Sequence, residues 1–110
     1  MIKTVWMMRR KPGMSRQDFV AYYEDVHRRM GETAVNGLAR RYLRRYLDPV
    51  HSAGQEPGFD VLTEMWFESR DDYERGMAQL RTDDFIEDYM RLFEPASSVQ
   101  YLVDERESAL

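Results

Sequence analysis

The sequence predicts a single α+β domain, and three observations lead to that class. The chain has 110 residues, which is close to the commonest size of one domain. Segments of β-forming residues alternate with segments whose apolar residues recur at helical spacing. Turn residues and helix N-caps separate the two kinds of segment. We therefore expect residues 1–110 to share one core, with no second domain.

The composition is that of an ordinary soluble globular protein. It is 43% hydrophobic and 33% charged, which disfavours disorder, and its net charge of −4 gives no field that would attract nucleic acid. The absence of cysteine excludes disulfides, thiolate catalysis and cysteine-ligated metals. No segment is apolar enough for a membrane span, and the N-terminus lacks a signal-peptide cleavage site, so we expect a cytoplasmic protein with neither membrane nor nucleic-acid partners.

The first segment, Ile2 to Arg9, is predicted to be a central strand. It is rich in β-forming residues and apolar on both faces, with Trp6 and Met8 on one side and Met7 on the other. A strand that is covered on both faces has this pattern. The turn residues at 11–13, Lys-Pro-Gly, end it.

A helix is predicted to follow this turn. Ser15 is a suitable N-cap, and Asp18 stands three residues later, where an acidic side chain favours the helix dipole. Apolar residues then recur at helical spacing and form one stripe: Phe19, Tyr22, Tyr23, Val26 and Met30. Gly31 is the expected end of the helix.

The next stretch, Leu38 to Pro49, fits two patterns. As a strand it places Arg and Tyr residues on one face and Arg and Leu residues on the other. As a helix it aligns Leu38, Tyr42 and Tyr46 in one row. Periodicity alone slightly favours the helix. Residues 51–58 are predicted to be a loop.

The second half of the chain repeats the order of strand and helix. Phe59 to Phe67 alternates as a strand, and Ser69 caps a helix that is predicted to extend to Leu80. Thr82 begins a shorter helix that ends before Pro95, and Ser98 to Val103 is the last predicted strand. If Leu38 to Pro49 is a strand, the order is βαββαβ, the split βαβ pattern of ferredoxin-like folds.

A second copy of the chain is expected against this sheet. Helices cover only one face of a four-stranded sheet, and Trp, Met and Leu project from both faces of the candidate central strands. An apolar face of that kind is normally covered by a partner, and the simplest partner is another copy.

The sequence resembles the EthD-domain family. The run Arg10 to Phe19, followed by Tyr22-Tyr23 and then Val26-His27, resembles the opening signature of that family. Further residues match after the first helix and in the later strand: Leu38, Arg41, Tyr42, Asp60, Glu64, Trp66 and Phe67. The match follows the element order from residue 1 to about residue 103.

The resemblance implies a ferredoxin-like fold that dimerises sheet to sheet into an α+β barrel. It also implies that Leu38 to Tyr46 is the second strand. Related dimeric barrels include polyketide cyclases, cofactor-independent monooxygenases and muconolactone isomerases, whereas most EthD-domain proteins have no assigned reaction. The fold alone therefore does not give the function.

His27 is the first candidate for chemistry. Histidine suits proton transfer near neutral pH, and this one matches the family's histidine after the tyrosine pair, which the resemblance places at the end of the barrel cavity. The alternative is a histidine that only complements the dipole at a helix C-terminus.

Candidate pocket residues lie on the strands. In the second strand Arg40, Tyr42, Arg44 and Tyr46 share a face, and in the next strand Leu62, Glu64 and Trp66 share one. Aromatic side chains could clamp a flat substrate while Arg, Tyr and Glu hold its oxygens. The alternative is an Arg–Glu ion pair with packed tyrosines at the dimer interface. We expect four catalytic candidates, His27, Glu64, Arg40 and Tyr42, and seven substrate-binding ones, Tyr23, Arg44, Tyr46, Trp66, Trp6, Met8 and Leu62.

These residues predict an enzyme that needs neither a metal nor an organic cofactor. A lyase, dehydratase or isomerase step on a small aromatic or polyketide-like molecule fits best, since a base and oxyanion donors are present. Two histidines without ligand spacing disfavour a metal site. The alternatives are a non-catalytic small-molecule binding or accessory protein of a catabolic pathway, a cofactor-independent monooxygenase, and a purely structural dimer.

Overall fold

The computed structural model describes residues 1–54 and 58–110. Its elements, in chain order, are β1 (Ile2–Met8), α1 (Arg16–Tyr22), a π turn (Tyr23–His27), α2 (Arg28–Val35), β2 (Ala39–Tyr46), β3 (Val61–Phe67), α3 (Arg70–Gln79), α4 (Asp83–Leu92), a 3₁₀ turn (Pro95–Ser97) and β4 (Val99–Leu102). The predicted loop over residues 51–58 includes residues 55–57, which lie outside this description.

The four strands form one antiparallel sheet in the order β2-β3-β1-β4. This is the βαββαβ ferredoxin-like arrangement, so the predicted fold class is confirmed. β1 lies between β3 and β4, as expected for a segment that is apolar on both faces. No helix in the described ranges is long and apolar enough to cross a membrane.

The segment after the first helix is a strand, so the helical preference of its periodicity was wrong. β2 pairs with β3 along its length, and Tyr42 and Tyr46 lie opposite Met65 and Val61. A row of large residues at four-residue spacing also lies on one face of a strand, because four is a multiple of the strand period of two. Sheet pairing therefore decides between two patterns that both fit this spacing.

The first helical region extends beyond the predicted end. It continues past Gly31 to Val35, and Gly37 then adopts a positive φ of 78°. Gly31 is buried against the Tyr42 ring, and a Cβ at this position would lie 3.0 Å from that ring. The absence of a side chain therefore allows β2 to approach the helix closely. The helix-ending glycine is Gly37, outside the last turn.

The π turn changes which side of this helical region is buried. The buried residues recur at every fourth position: Phe19, Tyr23, His27, Gly31 and Val35. In a regular α-helix each such step drifts by about 40° around the axis. The wider π turn opposes this drift, which keeps His27 inside. Val26, which was expected in the apolar stripe, is 38% exposed.

The later helices begin where the sequence indicates. The Ser69 hydroxyl accepts a hydrogen bond from the Asp72 backbone at 3.1 Å, and the Thr82 hydroxyl accepts one from the Phe85 backbone at 3.4 Å. Each cap satisfies an N–H group that lacks a partner within its helix. Together, α3 and α4 pack on the same side of the sheet as the first helical region.

The two faces of the sheet differ in their surroundings. The face under the helices, here called the helix face, carries Thr4, Trp6, Met8, Tyr42, Tyr46, Val61, Thr63, Met65 and Phe67. The opposite face, here called the open face, carries Val5, Met7, Leu43, Leu62, Trp66, Val99 and Tyr101. The core lies on the helix face, whereas none of the open-face residues is fully buried.

Gly76→Ala should destabilise the protein. A Cβ at Gly76 would lie 2.6 Å from Cε1 of Phe67, a ring with no exposed surface. We expect a loss of about 1–3 kcal/mol in the free energy of unfolding, measured by urea denaturation. Gln79→Ala, at an exposed position of the same helix, is the control and should change stability by less than about 0.5 kcal/mol. Equal stability of the Gly76 variant and the wild type would contradict this packing.

Candidate functional site

A cavity of about 320 Å³ lies between the helix face of the sheet and helices α3 and α4. Its floor consists of buried or half-buried side chains: Trp6, Met8, Tyr23, His27, Tyr42, Thr63, Met65, Met77, Phe85, Tyr89 and Phe93. Its rim carries the exposed side chains Arg81, Ile86, Met90 and Gln100. This size and mainly apolar lining suit a small flat molecule.

His27 lies at the floor of this cavity. The π turn directs its ring inward, where only 3% of the residue is exposed. The ring centroid lies 4.7 Å from that of Phe85, and the Tyr23 and Phe93 rings meet it edge-on at 5.1 and 5.4 Å. Aromatic side chains therefore hold the imidazole in one orientation.

Asp88 is the polar partner of His27. Its Oδ2 atom lies 2.9 Å from Nδ1 of His27, and its Oδ1 atom accepts a hydrogen bond from the Tyr22 hydroxyl. The residue is 3% exposed and comes from α4, 61 positions along the chain. A buried carboxylate is tolerable only when it is paired in this way. The result is a Tyr22–Asp88–His27 chain that ends at the cavity.

The surroundings of the imidazole favour its uncharged form. Burial lowers the pKa of His27 below its ordinary value of 6.5, and Asp88 offsets only part of that effect. The Asp88 carboxylate assigns the proton to Nδ1, so Nε2 keeps its lone pair. Nε2 makes no hydrogen bond within residues 1–54 and 58–110, where every fully buried side-chain N or O atom has a partner. Nε2 is therefore accessible from the cavity.

Hydroxyl groups line the side of the cavity near β2 and β3. The Tyr23 hydroxyl lies 2.6 Å from Oγ1 of Thr63, and the Tyr42 hydroxyl donates to Tyr23 at 3.3 Å. Burial raises the pKa of both tyrosines, so both stay protonated. Each has a single O–H, so a bound molecule would accept a hydrogen bond from Tyr42 only by replacing the bond between Tyr42 and Tyr23.

A second polar cluster lies beside the cavity but does not line it. Arg44 donates to both Glu24 oxygens, at 3.0 and 2.9 Å, and Tyr46 donates to the same carboxylate at 2.5 Å. The Arg44 guanidinium lowers the pKa of Glu24, whereas burial raises that of Tyr46. These groups satisfy one another, and they link the π turn to β2.

The structure divides the sequence-predicted candidates among four places. His27, Tyr23, Tyr42, Trp6 and Met8 meet at the cavity, and Arg44 and Tyr46 lie in the adjacent cluster with Glu24.

The other candidates lie away from the cavity. Leu62, Glu64 and Trp66 are on the open face, where Nε1 of Trp66 donates to Glu64 at 2.5 Å. Arg40 lies at a register shift in β2, and its exposed guanidinium pairs with Glu68 at 2.6 Å. Because side chains alternate along a strand, the open-face set and the cavity set cannot meet.

Sequence reasoning missed Asp88, which lies behind His27, and several of the residues that line the cavity. Phe85, Asp88 and Leu92 follow one another at i, i+3 and i+7 on α4. An acidic residue within an apolar stripe was the available signal. Met65, Met77 and Phe85 also line the cavity, although their pattern indicates only a core.

Fold and site together define a class: a ferredoxin-like α+β protein with a mainly apolar, ligand-sized cavity over a buried His–Asp pair. The EthD domain model matches residues 11–96, and the chain belongs to the EthD family. No protein with a curated description matches the sequence significantly.

Solved structures share the fold at low sequence identity. An EthD family protein from Bacillus halodurans is 20% identical, with a TM-score of 0.65 over 96% of this chain and 100% of that one. An EthD-like protein from Ralstonia eutropha is 17% identical, with a TM-score of 0.69 over 94% and 90%. A protein from Arabidopsis thaliana is 14% identical, with a TM-score of 0.66 over all of both chains. At these identities the likeness shows the fold alone.

The His27 pKa should lie below 6.5 in an NMR pH titration. Asp88→Asn should lower it further, because the carboxylate that favours the charged imidazole is lost while burial remains. His51→Gln leaves a single histidine and so assigns the signal. A His27 pKa above 6.5, or a rise in Asp88→Asn, would show that this pair is arranged differently.

Proposed function

We propose that the protein is a cofactor-independent enzyme that uses His27 as a general base on a small aromatic or polyketide-like molecule. The observation that carries the proposal is the buried pair of His27 and Asp88 at the floor of an apolar cavity. A structural histidine needs no accessible Nε2, whereas a base needs one. A lyase, dehydratase or isomerase step suits these groups.

The first step is removal of a proton from carbon next to a carbonyl group. Nε2 of His27 takes the proton, and the electron pair of the C–H bond moves to the carbonyl oxygen as an enolate. Asp88 stabilises the imidazolium that forms, as a carboxylate does behind a catalytic histidine. The Tyr42 hydroxyl lines the cavity, and its single O–H, which otherwise donates to Tyr23, would turn to donate to the enolate oxygen.

The second step determines the kind of reaction. If the imidazolium returns the proton to another carbon, the product is an isomer of the substrate. If it protonates a hydroxyl on the β-carbon, that C–O bond breaks, the electron pair of the enolate forms the double bond, and water leaves. Both sequences balance without an added oxidant or reductant.

The apolar surroundings adjust His27 for this role. Burial lowers the pKa of His27, so the neutral form that accepts a proton predominates at neutral pH. A non-catalytic binding protein is the competing proposal, and the cavity by itself supports it equally. Only a measurement of proton transfer distinguishes the two.

His27→Gln should abolish carbon-proton exchange in the cavity. As probe we choose 2-tetralone, a flat ketone with acidic C–H bonds, and deuterium incorporation in D₂O is followed by NMR. The wild type should accelerate exchange above buffer, and the variant should lose about a hundredfold or more of that rate.

His51→Gln is the matched control, because this exposed histidine does not line the cavity. It should exchange the probe at the wild-type rate. Binding of 2-tetralone without any acceleration would favour the binding protein. Undiminished exchange in His27→Gln would remove His27 from the role of base.

We also propose that two copies pair through the open face. Val5, Met7 and Leu62 lie on its central strands and remain partly exposed, while Val99 and Tyr101 on β4 are 36% and 53% exposed. Contiguous apolar surface of this kind is typical of an interface. The Trp66–Glu64 pair would then lie at the interface rather than in the cavity.

Met7→Glu should convert the dimer into a folded monomer, because Met7 lies between the apolar residues Leu62 and Val99 on the open face. A carboxylate at the centre of the open face would be desolvated without a partner on pairing, whereas the free face leaves it in water. Analytical ultracentrifugation should report half the wild-type mass. Val26→Glu places the same charge on the exposed side of the π turn and should leave the mass unchanged. A monomeric wild type would refute the pairing.

A further inference from the structure

We infer that the molecule bound in this cavity is an apolar acid whose carboxylate pairs with Arg81 at the rim. The inference rests on the proposed function, because it identifies the substrate class of the same cavity. It depends on where the charges lie around the cavity, a feature that the base chemistry of His27 does not use.

Arg81 is placed to meet a ligand as it enters. It lies in the connection between α3 and α4, where its backbone N–H donates to the Ala78 carbonyl at 3.2 Å. Its side chain lines the cavity from the exposed rim. Among the lining residues in the described part of the chain, it is the only Lys or Arg.

The guanidinium of Arg81 has no carboxylate partner within residues 1–54 and 58–110. Nine other arginines pair with carboxylates: Arg10, Arg28, Arg40, Arg44, Arg45, Arg70, Arg75, Arg91 and Arg106. Arg81 makes no ion pair with any described residue, although Asp83 and Asp84 follow it closely in the sequence. Four other arginines also lack such a pair among the described residues, but none of them lines the cavity: Arg9, Arg16, Arg29 and Arg41. A cation left unpaired beside an apolar cavity is a binding group for an anion.

The charges around the cavity, Asp88 behind its floor and Arg81 at its rim, favour one orientation of such an acid. No Asp or Glu lines it within residues 1–54 and 58–110, but the Asp88 carboxylate lies directly behind His27. A ligand carboxylate beside His27 would therefore be repelled and desolvated. At the rim it meets Arg81 and keeps part of its hydration, while the apolar body fills the floor. The carboxylate thus binds at the end of the ligand away from His27.

The test compares two ligands of the same shape by isothermal titration calorimetry at pH 7.5. The probes are 2-naphthoate, which carries the carboxylate, and 2-naphthamide, which is neutral. The wild type should bind the acid at least about tenfold more tightly than the amide, as expected for a charge-assisted pair. Arg81→Met should abolish that preference, and Arg81→Lys should retain part of it.

Arg75→Met is the control, because it removes the same charge from an exposed position of α3 that does not line the cavity. It should keep the whole preference, and thermal unfolding should show that every variant is folded. Equal binding of acid and amide by the wild type, or a preserved preference in Arg81→Met, would overturn the inference and leave the proposed function intact. If neither probe binds, the inference falls, and the exchange of 2-tetralone decides the proposed function separately. An acid preference without catalysis of 2-tetralone exchange would support the inference and refute only the catalytic role.

Discussion

The hydrogen bond between His27 and Asp88 is the interaction on which the rest of the site depends. It joins the π turn to α4 across 61 residues of sequence and leaves neither buried polar group without a partner. Removing Asp88 would leave Nδ1 of His27 buried without a partner, and removing His27 would leave Asp88 with Tyr22 as its one remaining partner, so either loss is costly in a low-dielectric environment. The same bond orients Nε2 toward the cavity. Stability and the proposed base chemistry therefore place the same demand on this pair of residues.

Two backbone features make this arrangement possible. The π turn returns every fourth residue to the inner side, so Phe19, Tyr23 and His27 form one buried row. Gly31 lets the Tyr42 ring lie against the helix, which brings its hydroxyl within 3.3 Å of that of Tyr23. If the π turn or Gly31 were missing, the hydroxyl groups and the imidazole would not border the same cavity.

The sheet separates two kinds of chemistry by alternation alone. On its helix face, neutral hydroxyl and imidazole groups border an apolar space. On its open face, Trp66 lies under the cationic groups of Lys3 and Arg41, at 3.8 and 4.5 Å. Aromatic and charged residues close together in the sequence thus serve opposite sides of the sheet, since successive side chains of a strand point in opposite directions. The open face is suited to a partner, and the helix face to a ligand.

The sequence by itself determined most of the elements. The caps at Ser15, Ser69 and Thr82 and the central position of β1 are local or compositional signals, and the structure has each of them. Only the tertiary structure decided that β2 is a strand, that Asp88 meets His27, and that Tyr42 and Glu64 lie on opposite faces. Periodicity shows which residues share a face within one element, but which faces meet depends on packing between distant segments. The cavity is a product of that packing.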